Sequence, residues 1–187
     1  MTNATDLHPD YKVGTWTLDP THSVISFTVK HLMISKVRGT FEKFDVTIVT
    51  AEDPKASTVE ATIDVSSVNT GVEARDNHLR TSDFFLVEEH PTVTFTSTSI
   101  DGDLASGDFT VTGDLTLRGV TQSVVLKGEF GGTIEDSYGN TRAGASASTK
   151  INRHDFGVSW NSALEAGGVT LGDDVTINLD LQVVLQK

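Results

Sequence analysis

Residues 175–185 read VTINLDLQVVL, and apolar and polar side chains alternate over most of this stretch. Its apolar members are Val175, Ile177, Leu179, Leu181, Val183 and Leu185. Successive side chains of a β-strand point to opposite faces, so this spacing gives the stretch one apolar face and one polar face. The sequence here predicts a β-strand that packs one face against a hydrophobic interior and leaves the other in water.

Further stretches of the chain show the same period of two. They are residues 25–29, 59–65, 93–95 and 109–117. In residues 143–147 the alternating side chains are alanines, which indicates a crowded wall or a bent backbone. Turns rich in glycine and aspartate separate the stretches, with little helical spacing between them. Such strands are typical of an antiparallel β-barrel or β-sandwich, so the predicted fold class is all-β.

Residues 72–85 break this alternation. The segment is rich in charged residues, and its apolar residues come late, at Leu79, Phe84 and Phe85. We expect a short helix here, lying across one opening of the barrel.

Composition limits the possible classes of protein. A chain of 187 residues suits one domain, and we assign residues 1–13 to a polar N-terminal tail and residues 14–187 to the barrel. The net charge of −12 disfavours binding to nucleic acid or to an anionic membrane through a polybasic patch. No apolar run approaches the length of a membrane span, so stable membrane insertion is not expected. The absence of cysteine excludes disulfides and thiol chemistry.

The N-terminal residues also bear on location. They lack the basic start and apolar stretch of a secretory signal, and the sequence begins with Met1. We therefore expect a cytoplasmic protein.

Four blocks of sequence resemble the YceI-like family. The first block is WTLDPTHS at residues 16–23 with FTVKH at 27–31 and VRGTF at 37–41. The second is TG at 70–71 with RDNHLR at 75–80, DFF at 83–85 and HP at 90–91. The third is GDLTLRGVT at 113–121, and the fourth is RHDFG at 153–157 with WN at 160–161 and EAGG at 165–168. The blocks occur in the family's order and span nearly the whole chain.

This resemblance implies a fold and a ligand class. The fold is a closed, antiparallel, lipocalin-like β-barrel of about eight strands with a short helix near one opening. The ligand is an isoprenoid or another long-chain lipid held inside the barrel. Several members of the family carry an export signal, which this sequence lacks.

The candidate ligand contacts are the side chains expected to face the lumen. Small residues such as Gly113 and Ala61 among large inward ones favour a lumen over a packed core. The predicted lumen residues are Phe27, Val29, His31, Phe41, Ile63, Val65, Leu79, Phe84, Phe85, Phe95, Leu115, Leu117, Arg153, Phe156, Trp160, Ile177 and Leu179. For Phe84, Phe85, Phe156 and Trp160, ordinary packing in the core is the alternative to contact with a ligand. A bulge near Gly113 would exchange the two faces of its strand.

Polar residues in register with the lumen have two possible roles. His31 follows Phe27 and Val29 at even spacing, and Arg153 follows Ile151. Either could anchor the polar end of a lipid or form a buried hydrogen bond to the backbone. Residues 75–80 form the densest polar cluster, which suits either a gate at the barrel mouth or a structural network in which Asp76 pairs with an arginine.

The sequence offers weak support for metal or catalytic chemistry. His22 and His31 have an odd separation, and the other histidines lack the spacing of known zinc motifs, so we expect no metal site and no cofactor. Asp19, His22 and Ser23 contain the residue types of a catalytic triad. Near neighbours on one strand seldom converge in that way, and no nucleophile elbow is present.

These observations favour a lipid-binding protein without enzymatic activity. Its expected partner is an apolar lipid, with a homodimer as a further possibility and storage or transport as the role. Two alternatives stay open: an enzyme acting on an isoprenoid lipid, and a barrel with a filled core that serves as an interaction or stress protein.

Overall fold

A computed structural model describes residues 7–103 and 105–187 of the chain. Its strands are β1 (Gly14–Leu18), β2 (Val24–His31), β3 (Ser35–Phe41), β4 (Phe44–Thr50), β5 (Thr58–Asp64), β6 (Val68–Asn69), β7 (Thr92–Asp101), β8 (Asp108–Leu117), β9 (Val120–Glu135), β10 (Thr141–Asn152) and β11 (Leu171–Leu185); its α-helix is α1 (Glu73–Leu79). The first six residues of the predicted tail lie outside the described residues.

Eight antiparallel strands form a closed ring. Their order around the barrel is β1, β4, β5, β7, β8, β9, β10 and β11, and β11 pairs with β1 to close it. The predicted all-β, closed antiparallel barrel of about eight strands with one short helix is confirmed. The stretch that begins at Val175 belongs to β11, which pairs with three other strands.

The remaining strands extend the wall beside β11. β11 pairs with β1 only near its C-terminal end, where Val183 lies opposite Leu18. Along its earlier part it pairs with β2, which continues through a tight turn into β3. β3 in turn pairs with the two-residue strand β6.

Glycines opposite phenylalanines shape the inner face. The Phe95 ring lies over Gly113 on the neighbouring strand, and the Phe27 ring lies over Gly39 in the same way. A glycine under an aromatic ring lets the ring lie flat along the wall and lets the sheet curve. These pairs therefore bend the barrel while keeping the rings on the inner face.

Residues of β2, β8 and β11 that were expected to face the lumen lie on the inner side of the wall. A bulge lies in β7, beside β8. The register of β7 shifts between Ser97 and Ser99, opposite Gly113. Odd-numbered residues face inward along the whole of β8. On β7 the odd-numbered Phe95 faces inward before the bulge, and the even-numbered Ile100 faces inward after it. The bulge therefore exchanges the two faces of β7 beyond residues 93–95, the stretch for which alternation was predicted.

Residues between β6 and β7 cover one end of the barrel, which we call the helix end. α1 is shorter than the predicted excursion, and turns follow it to Phe85. The Phe85 ring contacts that of Phe41, with 5.9 Å between their centroids. Arg118, in the turn between β8 and β9, donates hydrogen bonds to the carbonyl oxygens of Phe84 (3.0 Å) and Gly157 (3.3 Å). One guanidinium thus joins two segments of this end.

The opposite end of the barrel is contacted by the N-terminal residues. The Tyr11 hydroxyl donates to the Ala51 carbonyl oxygen at 2.8 Å, and the His8 ring packs edge-on against Phe130 at 5.1 Å. Residues 7–13 therefore pack against the barrel, and β1 begins at Gly14.

Replacing Gly113 with alanine should destabilise the protein. A Cβ atom there would overlap the Phe95 ring and lie 2.6 Å from the Thr96 carbonyl oxygen, so we expect a loss of about 1–3 kcal/mol in the free energy of unfolding. Gly144→Ala is the matched control, because the nearest atom to its added Cβ is 4.0 Å away. Urea denaturation measures both; equal losses would show that the ring does not occupy this space.

Candidate functional site

A cavity of about 520 Å³ runs through the barrel interior. Its wall consists mainly of aliphatic and aromatic side chains from the inner faces of the strands. It extends from Trp16 and Phe130 near the N-terminal residues to Trp160 and His78 at the helix end. A pocket of this size and chemistry suits an elongated apolar molecule.

Nearly all of the predicted lumen residues line this cavity, and Val65 and Phe156 are the exceptions. For these two the prediction is wrong. Val65 begins the 3-10 turn after β5 and Phe156 ends another, so neither continues the alternation of a strand. Each is 1% exposed and packs in the core next to the cavity. Whether the lining residues contact a ligand stays a prediction.

The sequence analysis missed part of the lining. The missed residues include Trp16, Val46, Ile48, Val124, Leu126 and Phe130, with His8 and Tyr11 from the N-terminal segment. β9 does alternate at Val124 and Leu126, but the polar spacers around these residues are few and Val125 is also apolar. Because apolar and polar positions contrast so weakly there, the longest strand of the barrel was not predicted from the sequence.

Arg153 is buried at the edge of the cavity and is bound to the backbone. The residue is only 4% exposed, and Nε of its side chain donates to the Gly172 carbonyl oxygen at 2.9 Å. One terminal nitrogen, Nη1, donates to the carbonyl oxygens of Val158 (2.9 Å) and Trp160 (2.7 Å). The backbone role considered for this residue is therefore present. These bonds fix the loop after Phe156 against β11.

The guanidinium of Arg153 keeps one unsatisfied group. Its other terminal nitrogen, Nη2, is buried and has no hydrogen-bond partner in the described part of the chain. Burial lowers the pKa of the guanidinium from its ordinary value, and the charge of Asp173 opposes that effect. Buried donors without a partner are rare, and this one lies at the edge of a mainly apolar lining.

Polar residues of the helix end form a local network. The Asp76 carboxylate accepts hydrogen bonds from the Thr70 backbone N–H (2.9 Å) and hydroxyl (2.5 Å), while Arg75 Nε donates to that hydroxyl at 2.7 Å. A structural network, one of the two roles considered for this cluster, is therefore present, but Asp76 does not pair with an arginine because Thr70 lies between the two charges. This network holds the start of α1.

His78 belongs to the same end and lines the cavity. Its Nε2 lies 2.7 Å from an Asp83 carboxylate oxygen, and its ring packs edge-on against Phe84 (5.0 Å) and Trp160 (4.9 Å). The ring is thus held by one carboxylate and two aromatic side chains, an arrangement that closes the end of the cavity.

The residues of the suspected triad are not arranged as one. His22 Nδ1 lies 3.0 Å from an Asp19 carboxylate oxygen, but the Ser23 hydroxyl donates to the Gln182 carbonyl oxygen (3.2 Å) and accepts from its N–H (3.0 Å). Hydrogen bonds from the Thr21 hydroxyl and from His22 hold the pKa of Asp19 well below its ordinary value. These groups pin the turn after β1 to β11.

Two further observations concern metals and membranes. Over residues 7–103 and 105–187, no group of three or more histidine, cysteine, aspartate or glutamate side chains is placed to hold a metal ion. Among the helices in those ranges, none has both the length and the apolar character needed to cross a membrane.

The closed ring and its internal cavity define a lipocalin-like β-barrel. The model of the YceI-like domain matches residues 16–183. The chain belongs to the YceI-like family, as its four blocks of sequence predicted. A UPF0312 protein of Staphylococcus aureus (strain MSSA476) is 41% identical over 163 residues, which cover 86% of this chain and 91% of that protein.

Solved structures share the fold. The Campylobacter jejuni YCEI protein is 32% identical, with a TM-score of 0.71 over 84% of this chain and 90% of that one. A polyisoprenoid binding domain from Saccharophagus degradans, implicated in plant cell wall breakdown, is 20% identical, with a TM-score of 0.67 over 94% of this chain and 100% of that one. At that identity the second likeness shows the fold alone.

Replacing Arg153 with methionine should destabilise the barrel. The change leaves the buried carbonyl oxygens of Gly172 and Val158 without their donor, and each such loss costs about 1–3 kcal/mol. We expect the free energy of unfolding in urea to fall by at least about 2 kcal/mol. The control is Lys150→Met, since the Lys150 side chain is 66% exposed. A loss as small as that of the control would contradict a structural role for Arg153.

Proposed function

We propose that the protein binds a long-chain isoprenoid or a related lipid inside the barrel, and stores or transports it without changing it chemically. The observation that carries this proposal is the apolar cavity of about 520 Å³ that runs through the barrel. Its volume falls within the range of roughly 300–1,000 Å³ that is typical of ligand pockets.

The chemistry of the wall favours hydrocarbon over a polar ligand. Removing each CH₂ group of a lipid from water contributes roughly 0.8 kcal/mol, so a chain of several isoprene units gains enough to offset the cost of ordering it. Wall positions that carry small side chains, such as Ala61, Ala145 and Ala147, leave room beside the aromatic residues. The shape and the wall therefore support an elongated ligand.

Relatives support the same ligand class. The Saccharophagus degradans domain with this fold is described as polyisoprenoid binding. Membership in the YceI-like family favours the same class for this chain. A cytoplasmic location and a homodimer stay predictions of the sequence.

A binding role without chemistry fits the polar groups of the site. The Arg153 guanidinium is bonded to backbone carbonyl oxygens, and His78 is paired with Asp83. The Ser23 hydroxyl is bonded to the backbone of Gln182 on β11. These contacts leave the groups in structural roles, which favours a carrier over an enzyme.

The protein should purify with a lipid bound. An apolar cavity this large is unfavourable when empty, so we expect organic extraction and mass spectrometry to release a discrete isoprenoid or other long-chain lipid close to one per chain. Incubation of the extracted lipid with fresh protein should return it unchanged. Absence of any such lipid, together with failure to bind added prenyl alcohols, would favour the filled barrel; a converted product would favour the enzyme.

Replacing Leu115 with tryptophan should block lipid binding more than it harms folding. Leu115 lines the cavity and the added indole would fill open space, so we expect affinity for a fluorescent prenyl lipid to fall at least about tenfold. In a packed core the same change would cost about 1–3 kcal/mol of stability. Thr116→Trp, on the outer face of β8, is the control and should leave affinity unchanged. A lower urea midpoint with normal affinity for Leu115→Trp would place the ligand elsewhere.

A further inference from the structure

The turn between β2 and β3 exposes three consecutive apolar side chains at the helix end. Leu32, Met33 and Ile34 are 37%, 53% and 86% exposed. We call these three residues the hairpin tip. Single exposed apolar residues are common on protein surfaces, whereas a contiguous group on a projecting turn is typical of a contact surface.

The backbone of the tip is unusual for these residue types. Leu32 and Met33 have φ angles of 52° and 59°, and the Ile34 N–H donates to the His31 carbonyl oxygen at 3.2 Å. Positive φ at two successive residues of a tight turn favours Asn and Gly, as in turns of type I′. Large apolar residues rarely adopt it, so folding of the hairpin does not account for their presence here.

The strands that carry the tip are positively charged in a strongly acidic protein. No aspartate or glutamate occurs between Asp19 and Glu42, although the net charge of the chain is −12. Lys30, Lys36 and Arg38 are exposed within this stretch. None of the three forms an ion pair with any residue that the structure describes.

The nearest carboxylates along the sheet have other partners. Residues 172–174 of β11 form a bulge opposite Lys30. Within it, Asp173 lies 2.7 Å from His154 Nε2 and Asp174 lies 3.9 Å from Lys150 Nζ. Neither carboxylate is ion-paired with Lys30, so the three cations have no ion-pair partner among the described residues.

The tip adjoins the cavity. His31, which precedes Leu32, lines the cavity and is half-buried. The Leu32 N–H donates to the carbonyl oxygen of Thr170 at 2.7 Å, and Thr170 is also part of the lining. A surface that holds the tip would thus lie next to the helix end of the lipid site.

We propose that the hairpin tip docks on an anionic phospholipid bilayer, with Leu32, Met33 and Ile34 entering the headgroup region while the neighbouring cations contact lipid phosphates. This inference rests on the proposed function, since docking there places the cavity where its lipid is exchanged. The contact is peripheral and reversible, and the overall negative charge of the chain limits it to the hairpin tip.

The opposite end of the barrel has apolar exposure without the matching charge. Ile134 and Tyr138, in the hairpin between β9 and β10, are 70% and 85% exposed. Glu135 and Asp136 stand between them in the sequence and Asp136 is paired with Arg142, so this hairpin offers no excess positive charge to an anionic surface. The hairpin tip, in contrast, combines exposed apolar side chains with neighbouring cations, which favours the tip for docking on an anionic bilayer.

The test is sedimentation of the purified protein with vesicles. One set consists of phosphatidylcholine alone and the other of phosphatidylcholine mixed with phosphatidylglycerol. We expect binding to the anionic vesicles, little binding to the neutral ones, and a marked loss of binding at high salt, because screening weakens contacts with lipid phosphates.

The decisive variant is the double substitution Leu32→Asn with Met33→Gly. It places residues that readily adopt positive φ at the two positions that require it, so thermal stability should stay the same or rise. Vesicle binding should fall on the order of tenfold, because two of the three apolar side chains are removed. Ile134→Ser, at the opposite end, is the matched control and should bind vesicles as the unmodified protein does.

Loading measurements separate this inference from the proposed function. Uptake of a fluorescent polyprenol from anionic vesicles should be slower in the double variant, whereas its final occupancy from a detergent solution should be unchanged. Lipid uptake without vesicle binding, or equal vesicle binding by the double variant, would overturn docking and leave the lipid site standing. Vesicle binding without lipid uptake from either source would overturn the proposed function instead. A protein that dimerises through the tip and ignores vesicles would also overturn docking.

Discussion

The pairing of β11 with three strands is the constraint on which the rest of the structure depends. Along one edge it pairs with β10, and along the other it pairs first with β2 and then with β1, which closes the ring. A closed ring satisfies the backbone hydrogen bonds of its strands without help from the interior. The inner face can therefore stay apolar and open, and a cavity does not weaken the wall. The turn after β1 adds to this closure, because Ser23 bonds to the backbone of Gln182.

The two ends of the barrel are covered by different means. At one end the cover is a single segment, the residues before β1, and Tyr11 of this segment is bonded to the loop after β4. At the helix end the cover comes from two distant segments, and Arg118 bonds to a carbonyl of each. Arg153 ties the second segment to β11 through Gly172. The polar residues around the cavity thus act mainly on the backbone, which keeps the ligand space itself almost free of polar groups.

Sequence alone predicted the parts of the fold where alternation is strong. The faces of β8 and β11 follow from their period of two, and the broken alternation of residues 72–85 predicted the helix at one end. The family blocks supplied the closure of the barrel. The bulge opposite Gly113 could not be predicted, because it depends on the partner strand and leaves no local signal. Val65 was misplaced because a turn begins there while the apolar pattern continues. Asp76 was given an arginine partner on charge alone, whereas Thr70, six residues earlier in the chain, binds it.

β3 is bordered by another strand over only part of its outer edge. It pairs with β6 at Thr40 and Phe41, and no described strand pairs with that edge along residues 35–39. Unpaired backbone of this kind can accept a strand from a second molecule and start aggregation. Lys36 and Arg38 stand on this length, and like charges on an approaching copy would repel each other. The cations of the hairpin therefore disfavour edge-to-edge pairing of two copies along this length of β3.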